Sequence, residues 1–326
     1  MKKHHLIHRS PRAITLIELL VVVAILSLLS VVVLPAINGN RENTANRNAA
    51  QQVSSLISQA RNDAIAAGRP GGITVLANEL DIARCRVPPP YRGDGTTSKL
   101  CFNPALSPNV YAGPVGGPAA DNGAISGILN RNVKIKDYIT FGGYAQRYQL
   151  SSAVSAVGFD IDLSILGGTI PHPPVDVSLA FAIERQPRIV GTPISLANES
   201  SIDMEWSGYG GLGGYTSFAA GDQVSVVFDE TGVLNELIVH GARTPPDGAV
   251  FLLVGRVDRR GGSYNASAGP AASDDTIGAN WQYPTSYWVG IDPASGQTRI
   301  AECVPGGTSV VDSQDWVRAA LVAQGL

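Results

Sequence analysis

Two pairs of acidic residues have a spacing that suits carboxylate chemistry. Asp160 and Asp162, and likewise Asp203 and Glu205, lie two positions apart in runs that read as β-strands. Because alternate residues of a strand point to the same face, each pair can provide the two acids of a glycosidase or the ligands of a calcium ion. Two solvent-facing strand positions have the same spacing, so the pairs alone predict no site.

Other candidates for chemistry are few. Outside the first 13 residues the only histidines are His172 and His240, which lack metal-ligand spacing and allow no Ser–His–Asp or Cys–His arrangement. Asp274 and Asp275 lie in a loop rich in Gly, Ser and Ala that can help to bind calcium, but EF-hand spacing is absent. We therefore predict no catalytic residue, no metal and no cofactor.

A single carboxylate interrupts the most apolar part of the chain. Residues 13–37 read AITLIELLVVVAILSLLSVVVLPAI, with Glu18 as the one charge. That length of helix crosses a hydrocarbon core of about 30 Å. A carboxylate there costs on the order of 2–3 kcal/mol near the bilayer centre and less near its edge, so it indicates a function. A cleaved signal peptide fits this long run poorly, and a plain signal anchor leaves Glu18 unexplained.

The stretch from Ala13 to Leu20 accounts for the acid. It closely resembles the type III signal of prepilins, whose basic leader is removed by the prepilin peptidase after a small residue. The resemblance implies cleavage between Ala13 and Ile14, N-methylation of Ile14, and pairing of Glu18 with the freed amino group of a neighbouring subunit. It also implies a helix kink at Pro35. Ala13 and Ile14 stand where Gly and Phe are usual in that family.

The charge distribution predicts a location. The first 13 residues hold four basic residues and no acid, so without them the formal charge changes from −3 to −7. The positive-inside rule places that end in the cytoplasm, which predicts a single-pass protein of the inner (cytoplasmic) membrane with an extracytoplasmic C-terminal domain. A negatively charged domain is not expected to bind nucleic acid. The resemblance implies other partners: the prepilin peptidase, other pilin or pseudopilin subunits, the inner-membrane assembly platform and the lipid bilayer.

An amphipathic helix is expected to follow the apolar run. Within residues 38–68, apolar side chains recur at spacings of three and four, and polar side chains occupy the other face. Gly68 and Pro70 form a good C-terminal stop. The stretch from Leu56 to Pro70, followed by a predicted strand at Ile73–Leu76, resembles the H-type minor pseudopilins (the GspH/FimT family).

Beyond the helix, the sequence predicts short strands and many turns. Two hairpins are the clearest, Val224–Phe228 with Leu234–Val239 and Tyr287–Ile291 with Gln297–Ala301. The other predicted strands are Val133–Phe141, Ala156–Leu166, Val175–Glu184, Ser201–Trp206 and Ala249–Val257. Residues 84–125 are rich in Pro and Gly and read as a long irregular insertion. The resemblance is lost over residues 142–215, and a short helix is expected between Asp312 and Gly325.

The three cysteines allow one internal bridge at most. In an extracytoplasmic compartment Cys85–Cys101 is the natural pair. Such a bridge closes a loop of about 15 residues, which contributes roughly 3 kcal/mol in the chain-entropy description. Three buried free thiols are the alternative.

These observations predict an α+β protein with a pilin-like fold, in which a long N-terminal helix, its first half transmembrane, packs on an antiparallel β-sheet with long loop insertions. The expected segments are a basic leader (1–13), a transmembrane helix (14–37), an amphipathic helix continuing into the globular domain (38–68) and an extracytoplasmic β-rich domain (69–326). The expected function is that of a structural subunit, a minor pilin or pseudopilin, of a type II secretion pseudopilus or a type IV pilus. A membrane-anchored extracytoplasmic enzyme or glycan-binding protein is the alternative, which a cleft lined by Asp160, Asp162, Asp203 and Glu205 would favour.

Overall fold

The chain divides into two compact units, Met1–Ala45 and Asn46–Leu326, and the helix α1 (Leu16–Ala67) contributes to both. The computed structural model describes residues 16–93, 99–111, 127–129, 131, 133–155, 157–163, 172–197, 199–211, 214–265 and 278–303.

Strands make up most of the second unit. In chain order they are β1 (Gly71–Val75), β2 (Asp81–Arg86), β3 (Cys101–Phe102), β4 (Val110–Tyr111), β5 (Tyr138–Phe141), β6 (Arg147–Leu150), β7 (Gly158–Phe159), β8 (Ile161–Asp162), β9 (Phe181–Glu184), β10 (Arg188–Ser195), β11 (Ser200–Gly211), β12 (Gly214–Ser217), β13 (Val224–Phe228), β14 (Leu234–Val239), β15 (Ala242–Thr244), β16 (Ala249–Arg256), β17 (Tyr287–Ile291) and β18 (Thr298–Glu302). Two short 3₁₀ helices, Val257–Arg259 and Asn280–Gln282, lie between β16 and β17.

The described strands form four sheets whose neighbouring strands are antiparallel. The largest has the order β10-β2-β1-β13-β14-β15, and the second has the order β12-β11-β16-β17-β18. Two smaller sheets, β3-β4-β7 and β8-β6-β5-β9, lie in the stretch of chain between β2 and β10. The chain between β2 and β10 is therefore a long insertion, and the two strands that flank it pair with each other in the six-stranded sheet.

The end of α1 follows from local backbone chemistry. Gly68 takes the left-handed conformation with φ of 56°, which costs least for a residue without a Cβ. Its N–H donates to the Ile65 carbonyl, and the Arg69 N–H donates to the Ala64 carbonyl, both at 3.2 Å. These two bonds satisfy carbonyls that the helix end would otherwise leave unpaired, and together they form a Schellman motif.

The second half of α1 shares one hydrophobic core with both large sheets. We call it the aliphatic core, because it consists mainly of Ala, Val, Leu and Ile. Polar contacts tie the helix to both sheets: Ser54 Oγ lies 2.7 Å from Thr298 Oγ1 of β18, and Arg61 Nε donates to the Gly232 carbonyl beside β14 at 3.0 Å. The buried residues that the helix contributes are Ala49, Ala50, Val53, Leu56, Ile57, Ala60 and Ala64.

A second core lies within the insertion. We call it the aromatic core, because Phe and Tyr supply much of its volume. Phe141 and Tyr148 meet edge to face with ring centroids 5.9 Å apart, a geometry that aromatic pairs prefer. Its aromatic members are Tyr91, Phe102, Phe141, Tyr148, Phe159 and Phe181. The small sheets are therefore held by large side chains rather than by long strands.

The predicted α+β fold, with one long helix packed on one antiparallel sheet, is wrong. Strands dominate the described part of the chain, and they form several antiparallel sheets instead of one. The physical reason is that the described residues of 84–125 and 142–215 contain more strand than their Pro, Gly and short apolar runs indicate. The described part of the expected irregular insertion, residues 84–125, contributes β3 and β4 to the aromatic core, which it shares with residues as far as Ile183. The helix contacts two sheets.

In the described part of the chain, no helix combines the length and the apolar character that spanning a membrane requires.

Both predicted hairpins are confirmed. β13 pairs with β14 from Val224↔Val239 onward, and β17 pairs with β18 from Tyr287↔Glu302 onward. The predicted strand Ala156–Leu166 appears as two separate two-residue strands, β7 and β8. The helix expected between Asp312 and Gly325 lies outside the described residues.

Candidate functional site

The first half of α1 exposes an apolar surface. Its large side chains are accessible on every side of the helix within the first unit, with Leu16 at 82% and Ile25 at 55% exposure. The others are Ile17, Leu19, Leu20, Val21, Val22, Val23 and Leu26. Soluble monomers rarely expose a contiguous apolar surface of this kind, so it marks a surface that another apolar body covers.

A serine interrupts this surface without adding much polarity. Ser27 Oγ donates to the Val23 carbonyl one turn earlier at 2.8 Å. Serines in apolar helices commonly satisfy their hydroxyl by bonding back to the i−4 carbonyl. The segment therefore stays suited to an apolar partner.

Four residues carry the predicted processing and assembly chemistry. Ala13 and Ile14, the predicted cleavage pair, lie outside the described residues. The backbones of Glu18 and Pro35 both lie within α1. The structure therefore places Glu18 on the apolar helix described above, while the cleavage itself stays a prediction.

The carboxylates that could suit hydrolysis lie in two different places. Asp160 lies between β7 and β8, where its carboxylate accepts the Asn109 N–H at 2.8 Å and the Ser107 hydroxyl at 3.3 Å. Asp162 follows in β8. These bonds hold the 107–109 turn against the aromatic core, so Asp160 has a structural use.

Asp203 and Glu205 do not form the matched pair that their spacing predicts. The pairing of β11 with β16 shifts register between Asp203 and Gly208, and Asp203 is fully buried while Glu205 is exposed. Asn280 Nδ2 donates to Asp203 at 2.9 Å, and the Gly261 N–H approaches both carboxylate oxygens at 3.3 Å. The irregular strand thus turns one acid inward and leaves the other in water.

Burial raises the pKa of Asp203 to about 6. The hydrogen bonds from Asn280 and Gly261 oppose that rise, and the nearby carboxylates of Glu79 and Glu205 add to it. The net effect is a raised pKa, because the charged carboxylate loses more solvation energy on burial than the two hydrogen bonds restore.

Glu79 is a buried acid that the sequence did not single out. It lies in the β1–β2 turn with φ of 60°, its Oε1 accepts the Gly221 N–H at 2.6 Å, and Arg260 Nε lies 3.3 Å from its Oε2. Arg260 also donates to the Asn78 carbonyl at 2.8 Å. A glutamate in a polar turn is usually exposed, so nothing in the local sequence signals this buried contact.

His172 and His240, the two histidines outside the first 13 residues, each contact neighbouring groups of the fold. His172 Nδ1 lies 2.8 Å from the Pro173 carbonyl, and its ring lies against Phe102. His240 Nδ1 lies 3.0 Å from Asp222 Oδ1. Among the described residues no cluster of His, Cys, Asp and Glu is suited to hold a metal ion. Asp274 and Asp275 lie outside those residues.

The predicted Cys85–Cys101 bridge is not formed. Cys85, Cys101 and Cys303 are all free and buried, which agrees with the alternative of three thiols. The two partners lie in different sheets, Cys85 in β2 and Cys101 in β3, where Cys101 Sγ lies 3.3 Å from Ser178 Oγ. Burial raises the pKa of Cys85 to about 11, so this thiol is neutral at pH 7.

Comparison with known families identifies the N-terminal segment. Residues 8–34 match the family model described as the prokaryotic N-terminal methylation motif. This match supports a type IV pilin-like protein, whose motif fits a precursor processed by prepilin peptidase and suggests a structural subunit rather than an enzyme. No curated protein and no solved structure matches the chain.

Proposed function

We propose that this protein is a structural subunit, a minor pilin or pseudopilin, of a type II secretion pseudopilus or a type IV pilus. The match of residues 8–34 to the N-terminal methylation motif carries the proposal. The exposed apolar half of α1 supports it, because a filament of such helices buries these side chains against one another. Burial of a Leu or Ile side chain stabilises an assembly by about 1.5–3 kcal/mol.

Maturation begins with cleavage between Ala13 and Ile14 and N-methylation of Ile14. The freed amine is then one helical turn from Glu18 in sequence, and the amine of one subunit pairs with Glu18 of its neighbour. Such a pair offsets the cost of placing a carboxylate in an apolar surrounding. Assembly therefore depends on both the cleavage and the acid.

Before assembly, the precursor is held at the inner membrane. The apolar run in the sequence provides the anchor, and the basic leader keeps the N-terminus in the cytoplasm. The leader is residues 1–13, and the domain from residue 69 onward is exported. Its partners are the prepilin peptidase, other pilin-type subunits and the inner-membrane assembly platform.

Within this class, the H-type minor pseudopilins (the GspH/FimT family) are the subtype that we propose. An F-D-x-x-G pattern recurs in the closing strands of that family, and the β13–β14 hairpin resembles it in its Phe228-Asp229-x-x-Gly232 sequence. Asp229 Oδ1 accepts the N–H groups of Thr231 and Val233 at 2.8 and 3.0 Å, and Gly232 has φ of 85°. Asp229 therefore caps the backbone N–H groups of the turn, and Gly232 supplies its left-handed residue, which explains the spacing of the two residues.

Mass spectrometry of the protein from cells that contain a prepilin peptidase tests the proposal. We expect a mature chain that begins with N-methyl-Ile14. Ala13→Leu should retain the leader because the cut follows a small residue, whereas Ala24→Leu, the same change deeper in the apolar run, should be processed normally. A mature chain that keeps Met1 or begins after Ala36 would refute the family assignment.

A further inference from the structure

A cavity of about 160 Å³ lies beside the C-terminal end of α1. Its walls come from the last turns of the helix, from the turn into β1, from the start of β1, and from β2 and β10. Three arginines line it: Arg69 from the turn, and Arg84 and Arg86 from β2. The one carboxylate in its lining is Asp63 of α1.

The cavity contains an excess of positive charge. Arg84 Nη1 pairs with Asp63 Oδ2 at 2.8 Å, so the one carboxylate is already used. Within the residues that the structure describes, the guanidinium groups of Arg69 and Arg86 have no ion-pair or hydrogen-bond partner. Two cations therefore face the cavity without compensation.

Strand register adds a fourth arginine next to this group. Arg188 of β10 lies directly opposite Arg86 of β2. Like charges directly opposite each other destabilise a sheet. The charge of Arg188 also helps to lower the pKa of nearby Arg185, although burial of Arg185 has the larger effect. Arg188 Nη2 donates to the Arg131 carbonyl at 3.3 Å, so this arginine adds positive charge near the cavity without lining it.

The other walls of the cavity do not repel an anion. Gly71 contributes no side chain, and a Cβ there would lie 3.2 Å from the Cys85 carbonyl oxygen, so this side of the cavity stays open. The neighbouring Cys85 side chain is a neutral thiol at pH 7 rather than a thiolate, because burial raises its pKa. The wall between the arginines thus carries no negative charge.

We propose that this cavity binds a small multivalent oxyanion of the phosphate type. Arg69 and Arg86 donate to its oxygens, and Arg84, held by Asp63, completes the positive wall. The planar guanidinium fork matches the oxygen spacing of phosphate and sulfate and forms strong charge-assisted bonds to them. The proposal stands independently of any role in a filament, since every residue that it uses lies in the second unit.

Calorimetric titration tests this site. Full-length protein in a non-ionic detergent, in buffer free of phosphate and sulfate, is titrated with inorganic phosphate. We expect saturable binding of one phosphate per chain. Arg86→Gln should weaken it by roughly tenfold or more, the value of one lost charge-assisted hydrogen bond. Arg92→Gln, which removes an exposed arginine outside the cavity lining, should leave the affinity unchanged.

Three results would overturn the proposal: no saturable heat with the wild type, equal weakening by Arg92→Gln and Arg86→Gln, or a lower unfolding temperature for Arg86→Gln with unchanged affinity. Arg69→Gln alters an exposed turn residue and keeps the test valid if Arg86→Gln fails to fold. A parallel titration with glycerol 3-phosphate distinguishes the source of the anion. Binding of both compounds supports a phosphomonoester on a larger molecule, and binding of phosphate alone supports the free ion.

Discussion

The two halves of α1 are both rich in apolar residues, yet their exposure is opposite. Leu20 and Leu26 in the first unit are 62% and 57% exposed, whereas Val53 and Ile57 in the second unit are fully buried. The first half is apolar around its whole circumference, and the second half is apolar along one stripe. A stripe matches the sheets of its own domain, whereas a fully apolar surface requires a partner from outside the unit.

The largest expected effect tests the buried half. Val53→Asp should place an unpaired charge in the aliphatic core and lower the free energy of unfolding by about 3–5 kcal/mol. Ser55→Asp, on the exposed side of the same turn, should change it by less than about 0.5 kcal/mol. Thermal and denaturant unfolding of the full chain, followed by circular dichroism, measures both. Equal destabilisation by the two variants would contradict the assignment of the stripe.

A smaller effect on stability comes from the buried acid of β11. The pKa of Asp203 is raised to about 6 from an ordinary 3.8, so between these pH values the folded protein binds a proton more tightly than the unfolded chain. Asp203 therefore contributes most to folding below about pH 4, where it is protonated in both states. As the pH rises from about 4 to 6, this contribution to the free energy of unfolding falls by roughly 3 kcal/mol in total.

Unfolding measured from pH 3.5 to 7 checks this sign. Asp203→Asn should flatten the fall in stability between about pH 4 and 6, because the side chain no longer titrates. An unchanged slope in Asp203→Asn would show that this carboxylate is not desolvated in solution.

The smallest expected effect on stability belongs to the exposed half of α1. Glu18→Ala should change the free energy of unfolding of the globular unit by less than about 0.5 kcal/mol, since this residue lies in the other unit. It should nevertheless abolish incorporation into filaments, because the neighbouring amine loses its partner. Ser27→Ala, which removes an uncharged polar group of the same run, should assemble normally. Sheared filaments analysed by immunoblotting measure incorporation, and normal assembly of Glu18→Ala would exclude the proposed pairing.

Strand prediction succeeded where strands are long and turns are distinctive. β13–β14 and β17–β18 have five or six residues each and are joined by turns that contain Asp and Gly. It failed for β10, because Gly191 and Pro193 interrupt the run Arg188–Ser195. It also failed for β3 and β4, since two-residue strands leave no readable alternation and depend on the aromatic core for their stability.

The candidate sites show the same limit. A local signal was sufficient to identify the segment around Glu18, because its information lies in consecutive residues. The cavity beside α1 was not predicted, because its arginines come from a turn and from β2 and are brought together only by folding. Likewise, Asp203 and Glu205 were expected to share a face, and a register shift in β11 separates them.

The insertion leaves the six-stranded sheet after Arg86 and returns at Arg188, which is the residue directly opposite. Its two ends are therefore neighbours in space, at the distance that an ordinary hairpin turn spans. Loop closure costs little more for a long connection than for a moderately long one, since the entropy grows only with the logarithm of length. Replacing this whole segment by a short hairpin turn would therefore leave the register of β2 and β10 unchanged.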